Sequence, residues 1–465
     1  MRRLGLGLGA ALLGAAIAIA LLVAGSSLAS DQSWSAPVAL ANCGAATQPK
    51  VVFPFSAPGM RSGEGAIVWL GSSPDCTDKG SGVTSLDIAA LHSDDEPAAP
   101  RALMSGAAAR TGLAAPLQVA GTTHGQIVAV AAAAGAAVLA DGFATSGIDE
   151  LTSLGGSGAQ TATMDGFIGD ADVATVTESA GQYGIELFAQ RHYASHFGKG
   201  YYLSGGPARI TALAIGMDFR ADRLVIWAQG GEVWARYVTN AGHAKGKQEL
   251  GPSGYDPQIA AVLSDDDRAF VLWTDEPAPG VSGATSVLLA HSAVGPTFHG
   301  TTTLASFTEP AGVRLTAGSV AAERLSSEGV ALLWPALADG NYEIESAGAT
   351  DTGVLAPSVL AEPGEDLRLG AVATGPRNEI VVLAEVAPRT VDGFDQSHQQ
   401  LLTTRSNEVR DPGGLGFGPL TQLAAAGPNS DPAVAVDPDT DTAVAAWQTT
   451  LYGVPAIDWS AGSGS

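Results

Sequence analysis

Four basic residues in this chain each stand immediately ahead of an apolar run. Arg209 precedes "ITALAI", Arg314 precedes "LTAG", Arg368 precedes "LGAV" and Lys50 precedes "VVF". Gln126 and Gln258 hold the same place before "IVAV" and "IAAV". Basic residues are scarce, with 23 Lys and Arg against 47 Asp and Glu, so four of them in one column is a pattern worth a chemical reading. A guanidinium offers a planar fork of donors that matches a carboxylate or phosphate, and a lysine adds a point charge. If the runs are equivalent strands, the column converges at one end of the molecule and can bind an anion. The competing reading is structural: strand beginnings tolerate long polar side chains, and each arginine pairs with a local acid such as Glu365 or Asp366.

Other clusters give less. "DPDTDT" sets Asp437, Asp439 and Asp441 at alternate positions, a spacing that can wrap a hard cation. It lacks the turn glycine and distal glutamate of a calcium-binding EF-hand loop, and it falls where a hairpin turn is due, so it reads as a turn. His192 and His196 in "HYASH" lie across a strand end, where residues four apart are ~13 Å apart and cannot share a metal. "HSDDE" and "SDDD" read as solvated turns. There is no G-x-S-x-G, and "GGLGFG" at 413–418 leads into a strand, where it cannot cradle a phosphate. No catalytic residue, metal or cofactor is expected.

The elements that position these residues repeat. "GAIVW", "RLVIW", "AFVLW", "VALLW" and "AVAAW" end at Trp69, Trp227, Trp273, Trp334 and Trp447, and "EIVVL" places Leu383 in the same column. Repetition at about 45–60 residues points to a propeller, solenoid or array. Before each Trp strand comes a short polar turn and another apolar strand, as in "PARITALAI", "PQIAAVLSD" and "PAVAVDPDT". A third strand follows ("TSLDIAALHS", "TSVLLAHS", "QLLTTRS", "PAIDWSAG"), then a fourth ("HFGKGYYLS", "PTFHGTTTLA", "GVLAPSVLA", "GFGPLTQLA"). The first strands are apolar on both parities, which suits strands covered on both faces.

Four antiparallel strands per unit describe a propeller blade. The units run 44–120, 121–160, 161–204, 205–251, 252–305, 306–361 and 362–424, followed by a last unit with three strands. "SWSAPVALA" at 33–41 is a fourth strand with no unit before it, so it completes that last blade and removes an exposed sheet edge. The expected fold is all-β: a single β-propeller of four-stranded antiparallel blades, eight by count, closed by the N-terminal strand. Units two and three lack the Trp, and merging them gives seven.

The pattern P-x-[IV]-A, then AVxxW, then a strand ending A-x-S or T-x-S, then F-x5-LA, resembles secreted bacterial propellers of the sialidase-like repeat type over about residues 33–465. The resemblance is architectural, because the Asp-box and the Arg-Ile-Pro motif of sialidases are absent. It implies that Arg209, Arg314 and Arg368, with Lys50, could hold a substrate carboxylate as three arginines do in sialidase-type propellers.

Bulk properties bound the setting. Residues 1–29 carry Arg2 and Arg3, an apolar run and then Ser27-Leu28-Ala29, as a secretory signal peptide does; an uncleaved anchor is the alternative. Residues 30–465 form the propeller domain. Removing the leader takes the formal charge from −24 to −26, which argues against nucleic acid or an anionic membrane surface as partners. Cys43 and Cys76 are expected to pair in an oxidising compartment. The expected protein is a secreted or extracytoplasmic monomer that binds or scaffolds an anionic glycan or a protein without catalysing a reaction. The alternative is a glycoside hydrolase or lyase acting on an acidic sugar.

Overall fold

The computed structural model describes residues 33–41, 46–54, 65–72, 85–91, 96–104, 113–121, 126–133, 136–143, 147–154, 159–167, 170–190, 197–264, 267–278, 281–292, 295, 297–309, 320–325, 329–350, 353–360, 364–390, 393–406, 415–451 and 453–463. Among them the ordered elements are strands, apart from one turn of 3-10 helix at Gln396–His398. The strands form eight antiparallel sheets of four or five strands, plus a two-stranded ribbon.

The sheets follow the chain. Their first two strands are Ala46–Val52 and Ala66–Gly71 in sheet one, Leu113–Gly121 and Gln126–Ala133 in sheet two, and Ala159–Phe167 and Asp170–Ser179 in sheet three. Sheet four begins with Ile210–Met217 and Arg223–Gln229, sheet five with Ile259–Leu263 and Ala269–Asp275, and sheet six with Ala321–Arg324 and Val330–Ala338. Sheet seven begins with Leu367–Thr374 and Ile380–Val386, and sheet eight with Ser430–Val436 and Ala443–Leu451. The third strand of sheet eight, Val454–Ser463, pairs on its far side with the beginning of the chain. Trp34 lies opposite Gly462, and Val38 opposite Trp459.

Tight turns set the register within sheets. Gly230 and Gly231, both at positive φ, join the second and third strands of sheet four, and Asp339-Gly340 does the same in sheet six. Two central residues at positive φ make the hairpin turn whose twist matches that of the strands.

Packing runs from sheet to sheet. Separate apolar clusters join one to two, two to three, three to four, four to five, five to six, six to seven and seven to eight. An eighth, with Trp69, Ile67, Val444 and Ile457, joins sheet eight to sheet one. The first strands of consecutive sheets also touch, including Ser430–Val436 against Ala46–Val52. The Trp column is the core: Trp69, Trp227, Trp273, Trp334 and Trp447 are all buried in second strands, with Leu383 in the equivalent strand of sheet seven.

Three details differ from the sequence reading. The strand Leu113–Gly121, assigned above to the first unit, opens sheet two; Gln126 therefore begins a second strand, not a first. The most deeply buried strands are the inner ones, such as the Trp strand Ala66–Gly71 and the third strand Ser85–Ala90, while first strands such as Ile259–Leu263 are part-exposed. A second strand has sheets on both faces and partners on both edges, whereas a first strand has one free edge.

Candidate functional site

Of the predicted cations within the described residues, Arg209 stands just ahead of Ile210–Met217 and Arg368 is second in Leu367–Thr374, but Lys50 lies well inside Ala46–Val52 and not ahead of its strand, because a bulge lengthens that strand toward its start. Register shifts fall between Thr47 and Lys50, Ile210 and Ala212, Leu369 and Ala371, and Ser430 and Ala433. Gln48 and Asp431, inside two of these bulges, have φ of 54° and 48°. A bulge places two residues against one and turns a side chain that regular pleating would point elsewhere.

Arg209 stands exposed just ahead of Ile210–Met217. Arg368 is buried. Its Nη2 lies 3.1 Å from Glu385 Oε2 and donates to Gln399 Oε1 at 3.1 Å, and its guanidinium lies over the Phe394 ring, 4.2 Å from the centroid. The acid that faces it is thus Glu385, its cross-strand neighbour, and not Glu365 or Asp366. Asp366 instead pairs with Arg389 and accepts from the Tyr342 N–H at 2.9 Å. Arg314, His192, His196, Cys43 and Cys76 lie outside the described residues.

Lys50 is opposed by Asp431 of sheet eight. Burial pulls the lysine below its usual range, and the Asp431 charge counters part of that effect. Asp431 moves the other way: burial raises its carboxyl, and Lys50 offsets part of the rise. Asp431 is nonetheless open to solvent. Glu385 is raised chiefly by burial, eased by Arg368 and Gln399 and raised further by Asp431. The four charges Lys50, Asp431, Glu385 and Arg368 thus act on one another across sheets one, eight and seven, with Arg368 and Glu385 in direct contact. Gly370 makes the approach possible, since a Cβ there would lie 2.6 Å from Pro432 Cγ and 3.1 Å from Glu385 Cγ.

Sequence reasoning found Lys50 and Arg368 but missed Glu385 and Asp431. One usable signal was the Asp-Pro pair near the start of two first strands, Asp256-Pro257 ahead of Ile259–Leu263 and Asp431-Pro432 just inside Ser430–Val436. Around these charges the first-strand wall is small and neutral, with part-exposed Ala212, Ala260, Ala261, Ala321, Ala322 and Ala371. At the other end of the sheets, Asp437 spends both carboxylate oxygens on its own turn, accepting from Asp439 N and Thr440 Oγ1, in keeping with the turn reading of "DPDTDT".

Fold and site together describe an all-β protein of repeated four-stranded antiparallel sheets with a charged group of residues at one end of its first strands. No protein-family model matches the chain, and no curated protein does. Among solved structures it is similar to a protein of unknown function from Dyadobacter fermentans, at 11% identity and a TM-score of 0.44, over 94% of this chain and 100% of that one. It is similar to an ulvan lyase, a polysaccharide lyase, at 9% identity and a TM-score of 0.45, over 84% and 97% of the two chains. A subtype N11 neuraminidase-like protein of the isolate A/flat-faced bat/Peru (H18N11) has 8% identity and a TM-score of 0.38, over 71% and 92%. Likeness at this level leaves the functional reading to the residues themselves.

Proposed function

We propose that the eight sheets are the blades of one closed propeller of the sialidase-like type, exported from the cell, and that it binds a glycan or protein ligand at the first-strand end without transforming it. Closure is supported by the pairing of Val38–Ala41 with Val454–Ser463 and by the apolar cluster joining sheets eight and one. The observation that carries binding over catalysis is the pairing of these charges. Glu385 is committed to buried Arg368, and Asp431 faces Lys50, so the acids neutralise cations of the scaffold. A hydrolase needs two carboxyls free to face one substrate bond. Arg209, exposed at the same end, supplies a contact for a ligand carboxylate.

One observation favours the second reading, a lyase or hydrolase for an acidic sugar. Lys50 is pulled down and Asp431 pushed up, which brings a base and an acid toward neutrality side by side on an accessible wall. A glycan array run beside a panel of fluorogenic glycosides and uronate polymers separates the two. Binding without turnover, weakened by Arg209→Ala, supports the first. Turnover abolished by both Lys50→Ala and Asp431→Asn supports the second. An array with no binder and a panel with no turnover count against a glycan ligand in either role.

A further inference from the structure

The opposite end of the sheets holds a second charged corner. The turn between the first two strands of sheet four carries Asp218 and Asp222, and the matching turn of sheet five carries Asp267. One carboxylate oxygen from each lies within 4.8 Å of the other two. Asp218 is fully buried. Its Oδ1 accepts from the backbone N–H of Arg220 at 3.0 Å and of Asp222 at 2.8 Å. Its Oδ2 receives no hydrogen bond from any of the described residues. A buried carboxylate oxygen without a donor is costly, and the charges that act on this one, Asp222 and Asp267, share its sign. Burial, reinforced by those neighbours, pushes the Asp218 carboxyl up to about 7.

The nearby cations are occupied. Arg220 Nη1 lies 3.0 Å from Asp267 Oδ2, and Arg324 Nη2, from sheet six, donates to the carbonyls of Met217 and Leu263. The Tyr237 hydroxyl donates to Asp222 Oδ2 at 2.5 Å and stands 3.4 Å from Asp267 Oδ1, which ties the two turns together. Even with both arginines counted, the three carboxylates exceed the cations of the corner. Asp222 and Asp267 are half-buried and leave a side open to water.

We propose that Asp218, Asp222 and Asp267 bind one calcium ion between sheets four and five. Calcium takes six to eight oxygen ligands in a flexible shell, so three carboxylates from two independent turns, completed by waters on the open side, suit it. Magnesium demands a tight octahedron and sheds its water reluctantly, and so fits such a spread less well. The ion would satisfy the orphaned Asp218 Oδ2 and fasten two neighbouring sheets at their turns.

The test uses the full chain, freed of metal by a chelator, with calcium chloride and magnesium chloride titrated separately by calorimetry and in melting curves. The wild type should bind one calcium per chain, with magnesium weaker by about tenfold or more, and calcium should raise the melting temperature by several degrees. Asp218→Asn keeps the shape and the two bonds at Oδ1, and should lower calcium affinity at least about tenfold. Asp222→Asn should do the same and serves if the first variant folds poorly. Asp441→Asn, in the matching turn of sheet eight, should leave calcium binding unchanged. A wild type that gives no heat and no shift, equal affinity for magnesium, or Asp218→Asn with wild-type calcium affinity overturns the proposal; the first and last of these would leave Asp218 as a group that holds a proton.

Discussion

Arg405 holds two carboxylates at once, Glu379 Oε1 at 2.6 Å and Asp441 Oδ1, joining sheet seven to the first turn of sheet eight. The two acids also hydrogen-bond each other. Burial alone would raise Glu379, but the bonds from Asp441, from its own backbone N–H and from Arg405 outweigh it and hold its carboxyl below the usual range. Burial and the bond to Glu379 push Asp441 up to about 6. The signs oppose. The raised Asp441 favours the fold at low pH, and that stability is lost as pH rises through about 6. The lowered Glu379 favours the fold above about pH 4.3, and that stability is lost as pH falls through its folded pKa. Melting curves from pH 5 to 8 should therefore decline across 6, and Asp441→Asn should flatten the decline. Arg368 gives a sharper case. Glu385→Ala leaves a buried guanidinium without its acid and should cost about 3–5 kcal/mol in denaturant unfolding. Arg368→Met, which keeps bulk and removes the charge, should cost less if Glu385 is replaced by Gln in the same protein.

Between strands, the contacts are set by what fits. Gly370→Ala would drive a Cβ against Pro432 and Glu385 and should destabilise by about 1–3 kcal/mol, whereas Gly246→Ala, with open space around it, should stay within about 0.5 kcal/mol. The second strands were legible in the sequence because a tryptophan that closes an apolar run can be buried in only one kind of place, between two sheets. Trp227 and Trp273 marked theirs without ambiguity. Leu113–Gly121 was illegible for the converse reason: it carries no aromatic residue, Pro116 interrupts it, and a register shift between Ala114 and Gln118 breaks its alternation. The positions of Lys50 and Arg368 on first strands could be read from their neighbours in sequence, though the strand of Lys50 starts earlier, at Ala46. Their acids could not be assigned, because Asp431 reaches Lys50 across 381 positions of chain and Glu385 faces Arg368 only once a hairpin fixes their register. The Asp218 corner was hidden in the same way, since a turn rich in aspartate looks solvated until its neighbour from the next sheet is in place.

At the scale of the whole molecule, sheet eight is built from both regions of the chain. Ser33–Trp34 and Val38–Ala41 give it an outer edge, Ser35 Oγ and Ser460 Oγ lie 3.1 Å apart, and Trp34 packs against the cluster between sheets seven and eight. If the sheets close into the proposed ring, this strand, donated from residues some 420 positions away, makes them one cooperative unit, because no sheet could then leave without opening its two neighbours. The melting of a variant lacking residues 33–41 tests this most directly. A single transition lowered by at least about 5 °C is expected, with faster amide exchange along Val454–Ser463. A variant that melts at the wild-type temperature, with exchange in that strand unchanged, would contradict it.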